Sequence, residues 1–135
     1  MINIIEEIKL KIILICHLII VLFVVLTPFF NSNYLLFMHS IIVPFIMFHW
    51  ITNNDMCALT LMEKEIRKRL NKDSNGDDCF TCKIIEPVYN FKNNNNGKER
   101  FIYGSTIFLW IVSISKLYMK YKNKQINTFY DLFIL

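Results

Sequence analysis

Three histidines lie in long apolar runs, where an ionisable side chain is a candidate functional group. His17 lies near the start of the first run and His49 near the end of the second. A short polar link between the runs predicts an antiparallel hairpin, which brings both residues toward the same membrane face. Such a pair could ligate haem or a metal, or relay a proton. The alternative is that the imidazoles are neutral and bond to backbone carbonyls or to each other. His39 is predicted to lie toward the opposite membrane face, near Thr27.

Cysteines and a carboxylate follow the second run. Cys57 and Glu63 come soon after His49, so they are candidate metal ligands on the same side. Cys79 and Cys82 have the spacing of a redox pair or of half a zinc site. A zinc site needs about four ligands and a thioredoxin motif needs a βαβ context, and neither is indicated nearby. A structural or incidental role, with both thiols reduced in a cytosolic loop, is the alternative.

Three apolar segments position these residues, at about 12–30, 34–51 and 101–119. The first carries no charged residue, and at helical rise it spans about 28 Å, close to the thickness of a hydrocarbon core. Pro28 and Pro44 predict kinks, which membrane helices tolerate when a neighbour satisfies the freed carbonyl. Small residues at Gly104, Ser105 and Ser113 favour close approach of another helix, or are ordinary residues of a lipid-facing span.

The composition agrees with a membrane protein. The chain has 135 residues, of which 54% are hydrophobic and 19% charged. A disordered chain is less hydrophobic than this, and a soluble domain of this size could not bury so much apolar surface. Glu6 and Glu7 stand where a signal peptide would be basic, so the first segment is predicted to be an uncleaved anchor. We therefore predict an all-α integral membrane helical bundle, formed by a single membrane domain over residues 1–135.

A fourth, amphipathic or partly embedded helix is predicted at about 56–70. Asn54 or Asp55 is predicted to be its N-cap. Thr60 and Glu63 have the spacing of a possible capping box. Its pattern predicts either a helix on the anionic inner leaflet or one packed on the bundle. The apolar stripe and the i,i+4 ion pairs that define it are Leu59, Met62, Ile66 and Leu70, and Glu63–Arg67 and Glu65–Arg69.

The remainder of the middle region, 71–100, is predicted to be a polar loop. Its short apolar segment 84–91, interrupted by Pro87, is interfacial or re-entrant, and 93–97 is a polar linker. Eleven basic residues lie before the first span or between the second and third, against four near the C-terminus. The positive-inside rule then predicts a cytosolic N-terminus and a cytosolic loop 52–100, with the C-terminus on the opposite side.

Part of this pattern resembles an uncharacterised bacterial family of small multi-pass membrane proteins. The family has a His in each of its first two helices and a Cys-Pro-Leu-Thr-x-x-Glu run that opens the next. The resemblance covers about residues 16–70, with Ala58 in place of the family's proline. It implies architecture, and it favours a site at His17, Cys57, Thr60 and Glu63. Its residues are His17, His39, His49-Trp50, Asn53-Asn54, Cys57-Ala58-Leu59-Thr60 and Glu63.

A second resemblance is to small membrane proteins of large DNA viruses. It is carried by Pro87-Val-Tyr89 and by Trp110-x-x-Ser113-x-x-Lys116-Leu-Tyr. The many Ile, Asn and Lys residues have AT-rich codons, which is typical of AT-rich organisms and of such viruses.

The function predicted first is non-enzymatic, a structural or interaction role in a cellular or viral membrane. The expected partners are the lipid bilayer and a second copy or another membrane protein. A haem- or metal-binding or redox role for His17, His49 and Cys57 is the alternative, and a small channel or transporter component is a third. No catalytic triad, phosphate loop or HExxH motif occurs in the sequence. Basic residues do not interleave with aromatic ones as in nucleic-acid-binding domains, so no nucleic-acid partner is predicted.

Overall fold

A computed structural model of the chain describes residues 1–70 and 95–134. Within these ranges the fold is all-helical, which confirms the all-α part of the predicted fold class. The predictions for Cys79, Cys82 and segment 84–91 fall outside the described residues. The elements are α1 (Ile2–Leu26), α2 (Asn33–Thr52), α3 (Ala58–Arg69) and α4 (Asn95–Lys122), with 3₁₀ segments at Thr27–Phe29 and Phe129–Phe133.

Three helical segments are long and apolar enough to cross a membrane: Ile2–Phe29, Asn33–Thr52 and Arg100–Lys122. They contain the three predicted spans almost completely. The first helix begins at Ile2, well before the predicted span at residue 12. Charged residues interrupt the apolar run there, but Glu and Lys are good helix formers. Lys9 Nζ also bonds Glu6 Oε1 one turn away, at 3.0 Å.

The last long helix also begins earlier than predicted. It starts at Asn95, inside the predicted polar linker 93–97 and before the predicted end of the loop at residue 100. The Lys-Glu-Arg run that follows Gly97 consists of good helix formers, so the helix extends N-terminally beyond its apolar part. Hydropathy marks the apolar part of a helix rather than its end.

The turn between α2 and α3 differs from the predicted caps. Asn54 and Asp55 adopt left-handed φ angles of 53° and 61°, and the Asp55 N–H donates to the Trp50 carbonyl at 2.8 Å. These residues therefore end α2 rather than begin α3, as residues at a helix C-terminus do. The N-cap of α3 is Cys57. Because Thr60 and Glu63 lie inside the helix, the predicted capping box was wrong.

The chain forms two compact units, Met1–Val21 with His49–Glu99 and Leu22–Phe48 with Arg100–Leu135. In the first unit, the apolar face of α3 packs on α1. Met62, which the pattern placed in the apolar stripe of α3, is 50% exposed, whereas Glu63 is buried. The face of α3 that packs is thus rotated toward Thr60 and Glu63. The cluster consists of buried Leu10, Ile13 and Ile66, with Leu14, Leu59 and Leu70 packed against it.

In the second unit, a narrow face of α4 is buried. Ser113 is fully buried and Thr106 nearly so, and they lie on one face of the helix because they are seven residues apart. Gly104 has open space where a Cβ would lie, so it is not a close-packing residue. Of the three small residues singled out in the sequence, Ser113 is the buried one. The buried apolar side chains of this unit include Val24, Leu36, Val43 and Ile126.

Candidate functional site

Pro28 leaves one carbonyl of α1 without its intrahelical donor. A proline has no N–H, so the carbonyl four residues earlier, at Val24, lacks the usual i→i−4 hydrogen bond. His39 lies on α2, fully buried, and its Nε2–H donates to the Val24 oxygen at 3.0 Å. The Phe23 ring packs beside the imidazole, with ring centroids 5.8 Å apart. His39 therefore joins α2 to the end of α1.

Pro44 creates the same deficit in α2. The carbonyl four residues earlier belongs to Ser40, and it loses its intrahelical donor for the same reason. Trp110 on α4 supplies the replacement, since its indole Nε1–H donates to the Ser40 oxygen at 3.0 Å. The prediction that neighbours satisfy the freed carbonyls is thus confirmed at both prolines, and the donors are now identified.

A lysine ties the end of α4 to the polar link between α1 and α2. Lys120 Nζ donates to the Asn31 carbonyl and to Asn33 Oδ1, the latter at 2.7 Å. Asn33 Nδ2 in turn donates to the Asp131 carbonyl at 3.2 Å, which holds the C-terminal segment against the same link. Sequence patterns did not point to Lys120 or Trp110 as contact residues. For Trp110 the available signal was Pro44, because a proline inside an apolar helix requires a donor from elsewhere.

The C-terminal 3₁₀ segment has its own cap. The backbone N–H groups of Thr128 and Asn127 each donate to Asp131 Oδ2 at 2.8 Å. These two hydrogen bonds favour the carboxylate and hold the pKa of Asp131 below its ordinary value. Phe129 and Phe133 pack edge-on against Phe37 of α2, which anchors the segment on the second unit.

His49 caps α3 from the end of α2. Its Nε2 accepts the Ala58 N–H at 3.2 Å and lies 3.1 Å from Asn53 Nδ2. Ala58 is the first residue of α3, and the first N–H groups of a helix have no partner inside it. The side chain of Cys57 makes no capping bond, so the imidazole takes the place of the usual cap residue.

The buried face of α3 carries a charged pair. Glu63 is 2% exposed, and Arg67 bonds its Oε1 through Nε at 2.9 Å and Nη2 at 2.8 Å. The other carboxylate oxygen, Oε2, is buried and has no hydrogen-bond partner among the described residues. His17 of α1 is 4% exposed and lies within electrostatic range of this carboxylate. Two of the predicted site residues, His17 and Glu63, are thus both buried in the first unit.

The other predicted ligands are distributed differently. Cys57 is half-buried with a free thiol, and His49 has Ala58 and Asn53 as its own partners. Over residues 1–70 and 95–134, no group of three or more His, Cys, Asp or Glu side chains is placed to hold a metal ion. Cofactor ligation by His17 and His49 and metal ligation by Cys57 and Glu63 stay predictions.

Comparison with known proteins gave no match to a protein-family model, a curated protein or a solved structure. The resemblance to small membrane proteins of bacteria and large DNA viruses therefore stays a prediction.

Proposed function

We propose that this chain is a multi-pass integral membrane protein with a structural or interaction role. Three helices are long and apolar enough to span a bilayer. Within the described residues, 22%, 17% and 11% of their most apolar windows are buried by the rest of the chain. The remaining apolar surface needs a cover of lipid or of another helix, since water would not solvate it favourably. This uncovered surface is the observation that carries the proposal.

The polar contacts support the same role. The carbonyls freed by Pro28 and Pro44 each have a donor from another helix, as the interior of a bilayer requires, because no water is present there to replace it. His39 and Trp110 supply these two donors, and Lys120 joins α4 to the link between α1 and α2. These contacts fix the helices of the second unit and leave their outer faces to lipid or a partner.

The outer faces include large aromatic side chains on two helices. Phe45 on α2 is 70% exposed and Phe108 on α4 is 65% exposed. A photo-crosslinking amino acid at either position should capture a reproducible partner, or a second copy of the chain, in native membranes. The same amino acid at buried Val43 is the matched control and should capture neither. Adducts with lipid alone at both exposed positions would refute the interaction role.

Membrane insertion and sidedness are tested separately. The chain should stay with membranes after alkaline carbonate extraction, and release into the supernatant would overturn the proposal. We further propose a cytosolic N-terminus and middle region, from the excess of basic residues there. A variant that retains Cys79 alone should react with an impermeant maleimide from the cytosolic side. A variant in which Asn123→Cys provides the only cysteine should react from the opposite side. The reverse pattern of labelling would contradict this orientation.

Haem or metal binding is the second candidate function, and the observation that favours it is the burial of His17 beside Glu63. A ligand role for His49 through Nε2 would require this nitrogen to give up the Ala58 N–H. The test is the absorbance spectrum and metal content of the detergent-purified protein. A Soret band or stoichiometric metal that is lost in His17→Ala would support this function. A metal-free and colourless preparation would refute it.

A further inference from the structure

A surface cavity lies in the second unit where the C-terminal end of α4 meets the link between α1 and α2. Its volume is about 450 Å³. Five of the six lining residues have polar side chains, which are three amides, one hydroxyl and one ammonium group, and the sixth residue is apolar. The lining residues are Asn31, Ser32, Asn33, Lys120, Gln125 and Ile134.

The charge around this cavity is strongly positive. Lys116 and Lys120 are four residues apart on α4, so they share a helix face and repel each other. Lys122 and Lys124 follow and are exposed. Asp131 is the one acidic residue in the sequence between Arg100 and the C-terminus. Its carboxylate accepts two backbone N–H groups through Oδ2, and among the described residues it forms no ion pair with a lysine.

Lys120 has capacity for one more bond. An ammonium group carries three donors, and Lys120 uses two of them on Asn31 and Asn33. The third donor is available to an acceptor in the cavity. A phosphate oxygen matches this requirement, because it is negatively charged and accepts hydrogen bonds from ammonium and amide groups.

The position of the cavity selects the source of the phosphate. It lies at the ends of two segments long and apolar enough to span a membrane, Asn33–Thr52 and Arg100–Lys122. Exposed tyrosines surround this end of the chain, as in the aromatic belts at the level of lipid headgroups. They are Tyr118, Tyr121 and Tyr130.

We propose that this cavity binds the headgroup of an anionic phospholipid, with Lys120 donating to its phosphate and Lys122 and Lys124 adding attraction. The inference rests on the proposed membrane insertion of the chain. Each lysine near an anionic surface contributes about 1 kcal/mol, which corresponds to about a fivefold change in binding constant. Removal of two lysines should therefore weaken binding by about 25-fold if their contributions add.

The test uses the full chain in detergent and counts retained lipids by native mass spectrometry. Phosphatidylglycerol should be retained in preference to phosphatidylcholine, and Lys122→Gln with Lys124→Asn should remove that preference. Asn is chosen at position 124 because Lys124 has a left-handed φ of 57°, which Asn tolerates. The control is Lys68→Gln with Arg69→Gln in α3, which removes the same charge from the first unit and should leave the preference intact.

A third variant, Lys120→Gln, tests the cavity itself. It should lose the preference for phosphatidylglycerol, while its helical circular dichroism shows whether the fold persists. Thermal stabilisation by inorganic phosphate as strong as that by phosphatidylglycerol would show a free-anion site and overturn the lipid assignment. Equal retention of both lipids, or equal loss in the α3 control, would also overturn it. Flotation of the reconstituted chain with vesicles tests insertion separately, so a chain that floats without lipid preference refutes this inference alone.

Discussion

Replacing Trp110 by Phe removes one hydrogen-bond donor and keeps an aromatic ring in place. The indole Nε1 lies 3.0 Å from the Ser40 carbonyl, whose intrahelical donor Pro44 has removed. Interhelical hydrogen bonds in membrane proteins contribute about 0.6 kcal/mol on average and reach about 1.7 kcal/mol. Because this carbonyl has no intrahelical donor, we expect Trp110→Phe to lower the free energy of unfolding by about 1.5 kcal/mol.

The same substitution in a Pro44→Ala background separates the hydrogen bond from the loss of ring area. Alanine restores an N–H at position 44, which can bond the Ser40 carbonyl within α2. The loss of ring area is common to both backgrounds and cancels in a double-mutant cycle. Trp110→Phe should therefore cost about 1 kcal/mol less in the Pro44→Ala background than in the wild-type background. The difference between the two costs measures the contribution of the hydrogen bond alone.

The assay is unfolding in mixed micelles by titration with a denaturing detergent, followed by the helical circular dichroism signal. Trp50→Phe is the matched control, since it removes the other tryptophan of the chain and should be additive with Pro44→Ala. If Trp110→Phe costs the same with and without Pro44, the assignment of Trp110 as the replacement donor is wrong.

Three other predictions concern the contacts of His39, Arg67 and Asp131. His39→Phe should cost about 1 kcal/mol of unfolding free energy and most of that cost should vanish with Pro28→Ala; equal costs in the two backgrounds would refute the contact. Arg67→Gln should destabilise the protein by about 3 kcal/mol because it leaves the buried Glu63 carboxylate without its ion-pair partner. The control Arg69→Gln breaks an exposed ion pair of the same spacing and should cost about 0.5 kcal/mol or less. Similar losses of unfolding free energy in the two variants would contradict this prediction. Backbone hydrogen bonds lower the pKa of Asp131, so the C-terminal turn is stabilised above the unfolded carboxyl pKa of about 3.9 and loses this contribution as pH falls through the lower folded value. Amide chemical shifts of that turn should follow this titration, and Asp131→Asn should abolish it; an unchanged titration would exclude the carboxylate as its cause.

The three long helices were predictable because their signal is local. Continuous apolar runs between polar turns identified the three long helices, and Pro28 and Pro44 indicated that carbonyls would need donors from neighbouring helices. The helix ends were less predictable, since α1 begins at Ile2 and α4 at Asn95 in polar sequence. Helix propensity and side-chain pairs decide such ends, and hydropathy does not record them.

The contacts of the candidate site were only partly predictable. The sequence placed Glu63 and Arg67 one turn apart, and the pair is formed. The sequence could not show that Glu63 is buried while Met62 is exposed. Which side of α3 is buried depends on how it packs against α1, and this is a tertiary contact. The cap of α3 was missed for the same reason, since the acceptor is His49, nine residues before the first N–H it binds.

The hydrogen bonds of His39 and Trp110 also bear on the order in which the chain assembles. The donor to the Val24 carbonyl, His39, lies 15 residues later in the chain, whereas the donor to the Ser40 carbonyl, Trp110, lies 70 residues later. During synthesis, the hairpin of α1 and α2 can complete its first bond as soon as α2 is made. If α2 spans the bilayer as proposed, its Ser40 carbonyl lacks a donor until α4 is made, and an unsatisfied carbonyl in lipid is costly. On that proposal, a chain truncated before α4 should hold α2 less stably in the membrane, and synthesis of the last helix completes the insertion of the hairpin.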